Sequence, residues 1–277
     1  MFRFSIINIA FCLLLTAPCN SQNVNGLNLE LLGAKIKVTD MKEALDFYVG
    51  VMGYKVKAGN IDSDLVILED PVMTLALSKT NKVRKVNYPN ETQTILVFET
   101  KNLDSAVMAL RKRGVEFYCD EPQKVGVGLS TKFYDPFGNI HSLLQETVGE
   151  KRNFKEPRIY NVGYYIDDIE KGRQFYSVNL ELPIRTLRYY PPALPLNDNK
   201  GEFCTILHYR QTASKVEINY DKETYVALML KTSNITNVLE LLKKKNISIV
   251  KQLRQSALGE YIVLVDAFGN YLEIYQE

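Results

Sequence analysis

The 277-residue chain carries only two histidines, His141 and His208, so it can build few metal or acid–base sites. His208 lies in the mostly apolar run CTILHYR, which suits a cavity-lining or core histidine as well as a ligand. Glu273 sits in LEIY, and strand alternation sends it to the face opposite Leu272 and Ile274. There it could ligate a metal, act as a general base, pair with a Lys or Arg, or meet solvent. Four cysteines are present, Cys12, Cys19, Cys119 and Cys204, but no CxxC or Cys/His cluster, which argues against structural zinc. An oxidising compartment would tolerate a Cys119–Cys204 disulfide, yet the two lie in separate halves of the chain, which favours unpaired thiols. No GxGxxG, GxxxxGK[ST] or GxSxG occurs, so neither a phosphate loop nor a hydrolase elbow is indicated.

Lys and Arg total 34 against 32 Asp and Glu, a formal net charge of +2, with 46% hydrophobic and 24% charged residues. These are ordinary globular values and exclude a disordered, collagen-like or polytopic membrane chain. The near-neutral balance argues against a nucleic-acid partner. Residues 1–22 have the layout of a secretory signal peptide: Arg3, an apolar stretch from Ile6 to Leu15, then a small and polar segment from Thr16 to Gln22. The stretch is too short to span a bilayer. Cleavage is expected after Ser21 or, alternatively, Cys19. Lipid anchoring at Cys19 is a poorer fit because Pro18 directly precedes it. The expected location is periplasmic or extracellular, where the Asn90, Asn234 and Asn246 sequons would matter only in a eukaryotic secretory pathway.

The elements that must position any site come from an internal repeat. Phe47-Tyr48 returns as Phe175-Tyr176, Asn102-Leu103 as Asn234-Ile235, and Asp135-Pro-Phe-Gly-Asn139 as Asp266-Ala-Phe-Gly-Asn270. The halves run over 28–148 and 157–277, joined by the charged stretch 150–157. Each half divides again. Residues 33–39 read as a strand, Asp40 caps a helix with Glu43 three residues on, and short strands follow near 54–57, 64–69 and 72–79. The pattern restarts with a strand at 93–99, a helix capped by Asn102 and stopped at Gly114, and strands near 115–119, 129–135 and 140–146. Asp168 and Asn234 cap the corresponding helices of the second half, with Asn246 at the place of Gly114. The two Asp-x-Phe-Gly-Asn segments read as hairpin turns. The fold class is α+β, with the strand–helix–three-strand unit present four times.

Four such units, closing on Phe133-Tyr-Asp-Pro-Phe-Gly-Asn139 and Val265-Asp-Ala-Phe-Gly-Asn270, resemble the vicinal oxygen chelate superfamily: glyoxalases, bleomycin-resistance proteins and extradiol dioxygenases. The resemblance, carried also by Phe47-Tyr48, Met52-Gly53 and Ile166-Asp-Asp168, spans essentially the whole chain after the leader. It implies two glyoxalase-like cup-shaped sheets of paired βαβββ units, one domain in each half. It also implies a divalent metal in the cup wall, held by His, Gln or Glu from first and last strands. Those positions here hold Gly33, Leu77, Ile95 and Ser142 in the first half, and Asn161, His208, Ala227 and Glu273 in the second, with an uncertainty of one residue at Leu77 and His208. Only His208 and Glu273 are good ligands, whereas catalytic zinc usually has three. His141 faces away from the ligand position by alternation and reads as structural.

The expectation is therefore an exported member with a degenerate metal site that binds a small organic molecule without a cofactor, as a monomer or homodimer. The alternative is a lyase, isomerase or dioxygenase using Zn, Ni, Mn or Fe in the second half, with His208, Glu273 and Asn161 holding the ion and Glu273 catalytic. A purely structural or interaction role stays open as well. The insertion Arg185–Asn199, rich in proline, brings Arg188, Tyr189 and Tyr190 as a lip over the cup, or else packs over the inter-domain seam. Tyr160, Tyr164 and Tyr165 alternate along one strand, so some of them should line the cup.

Overall fold

The computed structural model describes residues 26–148, 153–185, 193–197 and 203–277. Residues 1–22, with the expected signal peptide, and Arg188, Tyr189 and Tyr190 lie outside them. No helix among the described residues is long and apolar enough to cross a membrane.

The first unit is β1 (Glu30–Val38), α1 (Met41–Leu45), β2 (Val56–Ala58), β3 (Leu65–Leu68) and β4 (Thr74–Lys79). The second is β5 (Gln93–Glu99), α2 (Leu103–Lys112), β6 (Gln123–Val125), β7 (Gly128–Tyr134) and β8 (Ile140–Glu146). The third is β9 (Arg158–Ile166), α3 (Ile169–Arg173), β10 (Ala193–Asn197) and β11 (Phe203–Tyr209), with a bridge between Ile184 and Leu196. The fourth is β12 (Val226–Thr232), α4 (Ile235–Lys244), β13 (Ile249–Ser256), β14 (Gly259–Val265) and β15 (Tyr271–Gln276).

The capping residues behave as their chemistry dictates. Asp40, Asn102, Asp168 and Asn234 each accept a backbone N–H of the first helical turn with a side-chain oxygen. Gly114 (φ 85°) and Asn246 (φ 55°) end α2 and α4 in the left-handed region. The helices carrying Phe47 and Phe175 are short α turns that widen into π turns at Asp46–Val51 and Gln174–Asn179. The strand expected near 115–119 survives only as the bridge Phe117–Phe133, and β6 takes its place.

The units pair across the repeat. An eight-stranded sheet runs β13-β14-β15-β12-β1-β4-β3-β2, uniting the first and fourth units. A seven-stranded sheet runs β10-β11-β9-β5-β8-β7-β6, uniting the second and third. The seams are antiparallel, Lys35 opposite Ala227 in one and Val97 opposite Asn161 in the other. The sequence halves 28–148 and 157–277 are thus out of phase with the sheets by one unit. The outer faces of both sheets and the helices share one apolar core that includes Ile36, Leu77, Phe98, Val162, Leu228 and Leu272. Each inner face has a cluster of its own.

The two Asp-x-Phe-Gly-Asn segments are the expected tight turns. Asp135 Oδ1 accepts the N–H of Phe137 (2.9 Å) and of Asn139 (2.8 Å), and Asp266 Oδ1 accepts those of Phe268 and Asn270 at the same distances. The other carboxylate oxygen ties each turn to the π turn above it, accepting from Tyr48 Oη and Tyr176 Oη at 2.7 Å. His141 belongs to this structural layer. It is fully buried, its Nε2 lies 3.1 Å from Tyr48 Oη, and its ring packs on Phe98 and Phe133.

Candidate functional site

The eight implied metal positions divide between the cups. Gly33, Ala227 and Glu273 belong to the eight-stranded sheet; Ile95, Ser142, Asn161 and His208 belong to the seven-stranded one. Leu77 packs in the shared core, and its neighbour Ala76 faces the first cup instead. His208 and Glu273 therefore lie in different cups, and a single ion held by His208, Glu273 and Asn161 does not form.

Glu273 is fully buried on β15, where alternation with Leu272 and Ile274 aims it into the first cup. It forms an ion pair with Lys35 Nζ, from the central strand β1. Its two oxygens also accept hydrogen bonds from Tyr220 Oη and Tyr275 Oη, both at 2.6 Å. Lys35 in turn donates to Tyr275 Oη (3.0 Å) and lies over the ring of Tyr261 (4.9 Å). Burial, and then the Glu273 charge, push the Tyr220 and Tyr275 phenols far up, so both remain donors. Next to them Lys37 donates to the Tyr220 carbonyl at 2.6 Å; burial and then the Lys35 charge bring it down to about 8. The metal positions of the first cup are thus occupied by its own side chains, beside a space of about 630 Å³ bounded by Lys35, Ser78, Gln255 and Tyr261. An ammonium on the Glu273 carboxylate takes the part that a metal cation would play, and Gly33, Ala76 and Ala227 supply no donor. This set does not fit a divalent ion.

The second cup is open at the metal positions themselves. A cavity of about 430 Å³ lies on its inner face, within the range of small-molecule sites. Ile95, Val97, Leu144 and Ile206 give it an apolar wall. Ser142, Asn161 and His208 face the same space, joined by Lys132 from β7, Arg210 just beyond β11 and Tyr88 from the loop before β5. The Lys132 ammonium donates to Ser142 Oγ (3.0 Å) and Ser130 Oγ (3.3 Å), and the two hydroxyls are 2.8 Å apart. Arg210 lies flat over Tyr165 (3.9 Å) and Tyr88 (4.4 Å) and donates to the Tyr88 hydroxyl. The His208 ring leans on Tyr165, with centroids 5.4 Å apart. Burial first, then the charges of Lys132 and Arg210, hold its imidazole down to about 3, so it is neutral at physiological pH. Burial likewise lowers Lys132. One imidazole, one hydroxyl and one amide are a poor donor set for a hard or borderline divalent ion. No group of three or more His, Cys, Asp or Glu that could hold a metal forms among the described residues.

The strand tyrosines separate by face. Tyr165 and Tyr160 line the cavity, while Tyr164 is fully buried on the opposite face against Tyr176. Tyr160 breaks the alternation because the β5–β9 register shifts between Val97–Asn161 and Phe98–Ile159; the extra residue opens to the cavity beside Asn161. Cys119 carries a free thiol. The alternation in GLSTKFY could have placed Lys132 and Ser130 on one face, but it does not say that the face is a cavity. Arg210 carries no pattern signal at all.

Comparison with known proteins agrees with this architecture. Residues 31–142 match the family model of the Glyoxalase/Bleomycin resistance protein/Dioxygenase superfamily. The whole fold is similar to glyoxalase I from Zea mays, with a TM-score of 0.62 at 16% identity, covering 90% of this chain and 92% of that one. It is also similar to a Bacillus subtilis protein assigned as a dioxygenase, with a TM-score of 0.60 at 14% identity, covering 89% and 85%. No curated protein matches the chain. The family match is thus by sequence over residues 31–142, and the likeness to these solved structures is one of fold.

Proposed function

We propose that the protein is an exported, metal-independent member of the superfamily that holds a small organic molecule in its seven-stranded cup. One observation carries this reading. The superfamily's ligand face survives as a cavity of about 430 Å³, while its metal positions hold Ile95, Ser142, Asn161 and His208. In the other cup Glu273 is already satisfied by Lys35, Tyr220 and Tyr275. Export rests on the signal-peptide layout of residues 1–22. A lyase, isomerase or dioxygenase using one divalent ion is the competing reading, favoured by His208 and Asn161 facing one cavity. The test is elemental analysis of the purified protein together with thermal unfolding with and without chelator. We expect no stoichiometric divalent ion and no change in Tm. One tightly bound ion per chain, with a Tm that falls on chelation, would overturn the proposal, since ligand linkage predicts that fall.

A further inference from the structure

We infer that the molecule held in the seven-stranded cup is an organic anion with an apolar body, an aromatic or branched carboxylate, sulfonate or phosphonate. This rests on the reading of that cup as a small-molecule site. Among the described residues three cations line the cavity, Lys124, Lys132 and Arg210, and no Asp or Glu does. Among the described residues no carboxylate pairs with Lys132 or Arg210; their partners are hydroxyls and tyrosine rings.

The two cups make the point by contrast. Ser142 occupies the repeat position of Glu273, and Lys132, opposite Ser142 on β7, occupies that of Val263, opposite Glu273 on β14. The first cup buries a lysine and supplies its own carboxylate. The second replaces the carboxylate with a hydroxyl, adds a lysine beside it, and leaves the anion to come from outside. Lys132, Ser130 and Ser142 offer three donors within hydrogen-bond distance of one another. The Arg210 guanidinium, fixed flat by two tyrosines, presents a planar fork suited to an oxyanion. Neutral His208 adds no charge and closes one side as an aromatic surface. Asn161 Oδ1 is buried without a partner and can accept a ligand hydroxyl or amine. The apolar wall of Ile95, Val97, Leu144 and Ile206 requires the remainder of the ligand to be hydrophobic.

Two fluorescent probes separate charge from shape: anilinonaphthalene sulfonate and its uncharged parent phenylnaphthylamine. The wild-type protein should bind the sulfonate at least about tenfold more tightly, and salt should weaken only the sulfonate. Lys132→Met should cost the sulfonate about tenfold and leave the neutral dye unchanged, and Ile95→Trp should displace both. Equal, salt-insensitive affinity for the two dyes, or an unaltered sulfonate affinity in Lys132→Met, overturns the anion assignment while the cavity remains a binding site. Dye binding that survives Ile95→Trp places the dye elsewhere and overturns it too. If neither dye binds, the small-molecule reading itself fails. Should Lys132→Met not fold, the wild-type dye ratio and its salt dependence decide.

Discussion

Glu273→Gln separates a buried structural charge from a metal ligand. In the wild type Lys35 and Glu273 are 4% and 0% exposed, and the carboxylate has three partners. Removing one charge of a buried pair leaves the other uncompensated, at a cost of about 3–5 kcal/mol. The substituted amide would still accept from Tyr220, so the lower end, about 3 kcal/mol, applies. Lys35→Met should cost a similar amount, because Glu273 then lacks its cation. In the double variant both charges are gone: the glutamine can bond both tyrosines, and the methionine fills the volume of the lysine stem. The double variant should therefore lie at least about 2 kcal/mol above the sum of the single effects. Urea unfolding followed by tyrosine fluorescence reads this directly, the chain having 17 Tyr and no Trp. At an m-value of about 3 kcal/mol/M, each single variant shifts the midpoint by about 1 M. Additive effects across the cycle would refute the ion-pair account, as would a divalent metal that is present in the wild type and lost from Glu273→Gln.

Three further outcomes follow from the same geometry. The unfolded chain protonates His208 near its ordinary 6.5, whereas the folded chain does so only near 3, so stability is lost as pH falls through that window. The loss is at most about 4–5 kcal/mol, and His208→Phe should remove that part of the difference between pH 7 and pH 4 in urea titrations. Gly269→Ala should be far worse than Gly114→Ala, although both have φ near +85°: a Cβ at Gly269 would lie 2.0 Å from the Val216 carbonyl oxygen, and at Gly114 it meets nothing within 4 Å. Thermal unfolding should show about 1 kcal/mol lost at Gly114 and more than about 3 kcal/mol at Gly269. Tyr48→Phe and Tyr176→Phe should each cost about 1–2 kcal/mol, since each unties a buried turn carboxylate from a helix.

The fold was legible because local chemistry and repetition agreed. Asp40, Asn102, Asp168 and Asn234 stand where helices begin, and the strands 93–99 and 140–146 have the bounds that the pattern predicts. Which unit pairs with which was not legible. A repeat gives the same inner and outer alternation to every copy, so β1 could meet β5 or β12 equally well by pattern. That choice decided the site, because it separated His208 from Glu273. Glu273 as a partner of lysine within a cup was among the readings that alternation allowed. Lys132 and Arg210 escaped notice because a cation in a strand usually marks a solvated face; only the closed cup makes them interior. Tyr160 faces the cavity because the bulge at that residue breaks the alternation, which no pattern announces, and Tyr164 faces the shared core.

The out-of-phase pairing also sets an order of assembly. The seven-stranded cup uses β5 through β11 and is complete once the chain has been made as far as Tyr209. The eight-stranded cup cannot begin to close until β12, at Val226–Thr232, arrives to pair with β1, at Glu30–Val38. During synthesis the first unit waits with an open strand edge while the middle of the chain folds, a long-range closure of the kind that slows folding and exposes a nascent chain to misassociation. The cup lined by Lys132 and Arg210 is nested inside the chain, and the cup that buries Lys35 and Glu273 is the clasp that joins its two ends.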